Sequence, residues 1–139
     1  MNRIRTTKRG FTLVEILIVV IILGILAAIV IPQFTSASTE ARENSLRSQL
    51  QTLRSQIELY KLQHGDAVPD LITSWAPLTG TTTFGGNTYG PYLQTVPANP
   101  LNNSSTVAAA PAAGVGFVYN ATTGAIQATD ATGTALFVE

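Results

Sequence analysis

The sequence contains no cysteine, and only 12% of its 139 residues are charged. Without cysteine the chain has no disulfide, no thiolate nucleophile and no cysteine-ligated metal. It has a single histidine, His64, which we expect in the last turn of a helix, where it interacts favourably with the helix dipole; a metal ligand or a base is the alternative role. No carboxylate pair, phosphate loop or Ser-His-Asp set of recognisable spacing is present, so we expect no enzymatic activity.

Basic residues are absent from residue 65 onward, and four of the eight lie within the first ten residues. Removing residues 1–10 leaves four basic and eight acidic side chains, a balance of 4 − 8 = −4. The C-terminal half therefore lacks the basic surface that nucleic-acid binding requires.

One long apolar run dominates the N-terminal region. Residues 16–31 contain no charged or polar side chain, and extending the run back to Phe11 adds only Thr12 and Glu15 as polar residues. As a helix rising about 1.5 Å per residue, this segment spans the roughly 30 Å hydrocarbon core of a membrane. A secretory signal peptide is the alternative, but this run is longer than its apolar region and no A-x-A-like site follows.

The flanking charges predict the orientation. Basic residues precede the run and mixed charges follow it, which places the N-terminus in the cytoplasm and the C-terminal head across the membrane. Glu15 is the exception within the run, because a carboxylate in an apolar span costs a few kcal/mol and usually has a functional partner. Glu15 lies close enough to the cytoplasmic membrane interface for its charge to be tolerated there, but this position does not explain why the residue is acidic.

Residues 8–15 read K-R-G-F-T-L-V-E, and with the apolar run they resemble the signal of type IV pilins and type II secretion pseudopilins. The resemblance implies that a prepilin peptidase cuts between Gly10 and Phe11 and then methylates the new N-terminal Phe11. It also implies that Glu15 neutralises the N-terminal amine of a neighbouring subunit. We expect a neighbour to supply that amine, because the chain's own amine starts a full helical turn away.

The resemblance implies a pilin fold of the α+β class, with a long N-terminal helix packed against a small antiparallel sheet. It divides the chain into a leader (1–10), a transmembrane and assembly half of the helix (11–32), an amphipathic half (33–64) and a β-rich periplasmic head (65–139). In filaments of this family the helix often opens between a glycine and a proline, here Gly24 and Pro32. A simple kink at Pro32 is the alternative for an isolated subunit.

The second half of the helix carries its own pattern. Apolar residues recur at helical spacing, and i, i+4 and i, i+3 charge pairs support a solvated opposite face. Gly65 predicts the end of the helix near His64. The apolar stripe consists of Leu46, Leu50, Leu53, Ile57 and Tyr60.

The head reads as loops followed by short strands. Residues 79–90 and 102–113 are rich in small or polar residues and are interpreted as loops. Residues 116–119 and 125–128 predict a hairpin, and 135–138 a third strand, packed on the helix stripe.

A second, weaker resemblance lies in residues 92–100, which are similar to a segment of major type II pseudopilins. Asn99 stands where those proteins carry an aspartate. Because those proteins also bind calcium in a C-terminal loop, Asp130 is a candidate ligand, although calcium usually takes several carboxylates. No other cofactor is expected.

These features favour a filament subunit of a type II secretion system in the bacterial inner membrane. Its partners would be other pilin-like subunits, the prepilin peptidase and the assembly platform. A type IV pilin for adhesion, motility or DNA uptake is the alternative, although many such pilins carry a C-terminal disulfide loop. A membrane-anchored periplasmic enzyme is a third class, which no sequence feature supports.

Overall fold

The computed structural model describes residues 10–138, so most of the predicted leader, residues 1–9, lies outside the described residues. The chain divides into two compact units, Met1–Ser38 and Thr39–Glu139. The elements are α1 (Leu13–Gln63), α2 (Ala76–Thr79), β1 (Thr82–Phe84), β2 (Asn87–Tyr89), β3 (Val107–Ala108), β4 (Phe117–Tyr119) and β5 (Ile126–Ala128). This arrangement confirms the α+β fold class.

Helix α1 begins and ends within two residues of the predicted bounds. Its C-terminus is closed by Gly65, whose φ of 62° is in the left-handed region where glycine is favoured. The amide of Asp66 donates to the carbonyl of Lys61 at 2.9 Å. This bond and the left-handed glycine together satisfy the helix end, as the sequence predicted.

The predicted stripe of α1 forms the core of the second unit. Leu50 and Leu53 are each 1% exposed, and they pack in one cluster with side chains of β4 and β5. Burying a leucine in this way is worth about 1.5–3 kcal/mol relative to leaving it exposed. The prediction that the strands cover this stripe is therefore confirmed.

The sheet contains three strands in the order β3-β4-β5. The predicted β4–β5 hairpin is present and antiparallel, with Val118 opposite Gln127. However, β3 pairs parallel with β4, so the sheet is mixed rather than purely antiparallel. In place of a third strand at 135–138 there is one antiparallel bridge, between Thr129 and Leu136.

Two regions interpreted as loops contain strands. Within 79–90, β1 and β2 form a separate antiparallel hairpin around Gly85 and Gly86, whose φ values are 58° and 84°. Two successive positive φ angles define the two-residue turn that suits a twisted hairpin, and glycine supplies them without strain. Within 102–113, β3 is held beside β4, so that segment is also not simply a loop.

Candidate assembly site at the start of helix α1

The predicted cleavage site lies in an accessible position. Gly10 and Phe11 are both exposed, and both precede the first residue of α1. Phe11 is 83% exposed. Hydrolysis of the bond between them would therefore leave the helix intact.

Thr12 and Glu15 form a reciprocal cap at the start of α1. The amide N and the Oγ1 of Thr12 each donate to Glu15 Oε2 at 2.8 Å, and the Glu15 amide donates to Thr12 Oγ1 at 3.2 Å. This is a capping box, which satisfies amides that the first helical turn leaves unpaired. The carboxylate of Glu15 thus has a structural partner in its own chain.

The capping box also changes the geometry expected for Glu15. Its carboxylate folds back to the amide of Thr12, the residue directly after Phe11. In this cap the carboxylate lies beside the backbone of Thr12. The signal for this contact was the spacing T-x-x-E immediately before an apolar run.

The first half of α1 presents apolar side chains on all sides. In residues 16–31 the exposure of the large apolar side chains runs from 41% for Val30 to 63% for Ile31. Within the described residues, α1 is the one helix long and apolar enough to cross a membrane. A helix that is apolar all round requires lipid or other helices around it.

Gly24 and Pro32 lie inside α1, which the structure assigns as helix through both positions. Just after the proline, Thr35 Oγ1 donates to the carbonyl of Ile31 at 3.2 Å and Ser36 Oγ to that of Pro32 at 3.1 Å. Such hydroxyl-to-carbonyl bonds are associated with helix bending. The helix break between Gly24 and Pro32 concerns the assembled filament and stays a prediction.

Asp130, the predicted calcium ligand, accepts hydrogen bonds from neighbouring residues. Thr132 Oγ1 contacts both carboxylate oxygens, at 2.8 and 2.9 Å, and the amides of Thr132 and Ala135 lie 3.2 and 3.4 Å from Oδ1. These bonds, that of the Thr132 hydroxyl above all, lower the pKa of Asp130 below its usual 3.8. The described residues contain no cluster of three acidic or histidine side chains suited to a metal.

His64 is a buried residue that joins several elements, rather than one that only faces the helix dipole. Its Nδ1 lies 2.9 Å from the carbonyl of Tyr60, and its Nε2 lies 2.9 Å from Thr82 Oγ1 on β1. Its ring stacks on Tyr60 with centroids 3.9 Å apart. Because a carbonyl only accepts, Nδ1 carries a proton, and His64 attaches the β1–β2 hairpin to the end of α1.

Asn99 lies in the segment similar to major pseudopilins, and it is fully buried. Its Nδ2 donates at 2.9 Å to the carbonyls of Gly116 and Thr129, and its Oδ1 accepts from the amide of Leu101. An aspartate in the same orientation would place a carboxylate oxygen against those two carbonyls. The amide therefore suits this site, and sequence reasoning did not anticipate its structural role.

The N-terminal part of the chain, which contains the apolar half of α1, is similar to known proteins. Residues 5–31 match the family described as the prokaryotic N-terminal methylation motif. The type II secretion system core protein G of Pseudomonas aeruginosa is 40% identical over 60 residues, which cover 43% of this chain and 42% of that protein. The corresponding protein of Dickeya chrysanthemi matches over 37% of its length, so these matches span about two fifths of each relative.

Other matches are longer. The type IV major pilin protein PilA of Myxococcus xanthus is 29% identical over 120 residues, covering 86% of this chain and 52% of that pilin. No solved structure matches the chain significantly.

The type II secretion system core protein G of Aeromonas hydrophila is 30% identical over 105 residues, covering 69% of each protein. With this match, the methylation motif and the long-helix α+β fold, the chain belongs to the family of type II secretion system core protein G.

Proposed function

We propose that this protein is a non-enzymatic filament subunit of a type II secretion system, polymerising with pilin-like subunits to promote protein export. The observation that carries this proposal is the match to core protein G over 69% of the Aeromonas hydrophila relative. The unburied apolar half of α1 supports insertion in the inner membrane and helix packing in a filament. The head would then lie on the periplasmic side.

A type IV pilus is the second candidate, supported by the alignment of PilA with 86% of this chain. Deleting the gene in its native host separates the two functions. Loss of exported proteins from the culture medium with normal surface motility and DNA uptake is expected for a secretion filament. The opposite pattern would assign the chain to a pilus.

We propose that the prepilin peptidase cuts between Gly10 and Phe11 and methylates Phe11. The exposure of both residues and their position ahead of the helix cap support this assignment. Mass spectrometry of the membrane-extracted protein should give an N-methylphenylalanine terminus. An intact Met1, or a terminus beyond Ile31, would contradict the proposal.

We propose further that Glu15 pairs with the Phe11 ammonium of a neighbouring subunit during assembly. A carboxylate at the edge of an apolar segment is stabilised by a cation, and a charged group left unpaired penalises every other axial register. Glu15→Gln is the most informative variant, because glutamine also serves in a capping box. It therefore removes the charge while keeping the cap, whereas Glu15→Leu removes both.

Both variants should be inserted and cleaved, and both should fail to polymerise. Immunoblotting for cleavage and electron microscopy of sheared filaments measure the two steps. Filaments from Glu15→Gln but not from Glu15→Leu would show that assembly needs the cap and not the charge. Filaments from both would leave Glu15 without an assembly role.

For the C-terminal loop, we propose that hydrogen bonds replace calcium. The bonds that Asp130 accepts from Thr132 and Ala135 support this, as does the scarcity of other carboxylates. Thermal unfolding should then give the same midpoint in calcium and in chelator. A saturable rise of several degrees with calcium would identify a metal site.

A further inference from the structure

The hairpin of β1 and β2, called the ribbon below, is separate from the three-stranded sheet. Among the described residues, β1 pairs only with β2 and β2 only with β1. Both outer edges of the ribbon are therefore without a strand partner in residues 10–138. Such edges are templates for pairing with another chain.

The register identifies the groups that these edges offer. Phe84 and Asn87 flank the two-residue turn and form its hydrogen-bonded pair, so the next pair, Thr83 and Thr88, is the non-hydrogen-bonded one. The N–H and C=O of Thr83 point outward from β1, and those of Thr88 point outward from β2. Both residues are exposed, and neither makes a further backbone hydrogen bond within the described residues.

The ribbon is attached firmly to the end of α1. Thr82 Oγ1 lies 2.9 Å from His64 Nε2, and the Phe84 ring lies 5.6 Å from that of His64. A Cβ at Gly65 would come within 3.0 Å of the Phe84 ring, so the two elements are in close contact. An edge that is already ordered loses less entropy when it pairs with another strand.

Charge and proline, which often protect an edge strand, are absent from the ribbon, so the short length of its three-residue strands is the protection that remains. Residues 81–89 contain no lysine, no other charge and no proline. The uncharged region is much longer, since no Asp, Glu, Lys, Arg or His occurs in residues 71–129. The charged side chains of the second unit lie instead in residues 40–70 and at positions 130 and 139.

We propose that the ribbon is a docking edge for a second copy of this chain, with β1 of one copy pairing with β2 of the next. One ribbon carries two different edges on opposite sides, so this contact is head-to-tail, and it extends into a filament when the rotation between successive copies does not close a ring. Each processed copy carries −4, so copies repel through their charged faces, and the uncharged ribbon is the surface on which two copies meet with the least repulsion. The inference rests on the proposed filament function.

Proline substitution at the outward positions tests the pairing in the full-length chain. Thr83→Pro and Thr88→Pro each remove an N–H that the hairpin itself does not use, a position where edge strands tolerate proline. Thr83→Ala and Thr88→Ala are the matched controls, since they retain the N–H. We expect each proline variant to lower the yield of sheared filaments at least about tenfold, with the alanine variants near wild type.

Hydrogen exchange provides a second measurement that needs no substitution. The amides of Thr83 and Thr88 should exchange rapidly in detergent-solubilised subunits and at least about 100-fold more slowly in filaments. Unprotected amides in filaments, or proline variants that assemble like wild type, would overturn the ribbon contact alone. Proline variants that form normal filaments but no longer support export would also overturn the contact, and would indicate that the edge binds a different partner. Absence of filaments from the wild-type chain would instead overturn the filament function and this contact with it.

Discussion

Replacing Leu53 by alanine tests how the head is held on helix α1. Leu53 is 1% exposed and lies in the cluster that joins α1 to the sheet. Leucine-to-alanine changes at such sites cost about 2–5 kcal/mol, because they remove buried surface and leave a cavity. A domain of this size is stabilised by only about 5–15 kcal/mol, so the loss is a large fraction of the total.

Leu62 is the matched control, because it lies on the same helix and is 78% exposed. Leu62→Ala makes the same chemical change in the same helix, but it removes almost no buried apolar surface. Its cost should stay within about 0.5 kcal/mol. The difference between the two variants therefore isolates the packing contribution.

The assay is urea unfolding of fragment 35–139, which omits the whole apolar run, followed by circular dichroism. With a mid-range slope of about 2 kcal/mol per M, Leu53→Ala should lower the midpoint by roughly 1–2.5 M. In a thermal scan the same loss corresponds to about 10–25 °C. Equal midpoints for Leu53→Ala and Leu62→Ala would refute the packing of the head on this stripe.

Three further predictions concern the head. Burial raises the pKa of Tyr119 from 10.0 to about 12, so the folded state keeps the phenol proton to a higher pH than the unfolded state does. The free energy of unfolding should therefore fall between pH 10 and pH 12, and Tyr119→Phe should reduce this pH dependence in unfolding titrations. Asn99→Asp should cost about 1–3 kcal/mol or more by facing two buried carbonyls, while Asn103→Asp at an exposed site should be near neutral in the same titration. The hydrogen bonds that lower the pKa of Asp130 stabilise its ionised form, so stability should be lost as pH falls below 3.8. Asp130→Asn should reduce this acid dependence without abolishing it, because hydrogen bonds from Thr73 also lower the pKa of Asp70.

Helix α1 and the β4–β5 hairpin were predictable because their signals are local. Helical spacing of apolar residues and a left-handed glycine at position 65 define where the second half of the helix packs and ends. The strand-like runs of β4 and β5 and the short turn between them likewise lie within a few positions of one another. These features depend little on contacts between distant segments.

The ribbon and β3 were missed for different reasons. Threonine and glycine are common in loops, and their abundance in residues 79–90 obscured a two-residue Gly85-Gly86 turn between two threonine-containing strands. For β3 no local signal exists, because two residues pair in parallel with a strand about ten positions away. Asn99 shows the same limit, since the two carbonyls that accept from its Nδ2 lie 17 and 30 residues along the chain.

Glu15 illustrates how one side chain can serve the subunit and the filament together. Thr12 donates twice to Oε2, and within the described residues no hydrogen bond reaches Oε1. A neighbour's ammonium could therefore approach Oε1 while the cap stays closed, so assembly would not require the first helical turn to open. Glutamine would keep the accepting oxygen toward Thr12 but place an NH₂ group where Oε1 lies. That donor would face the incoming ammonium, which is why we expect Glu15→Gln to insert and to be cleaved normally but to be unable to recruit a neighbour.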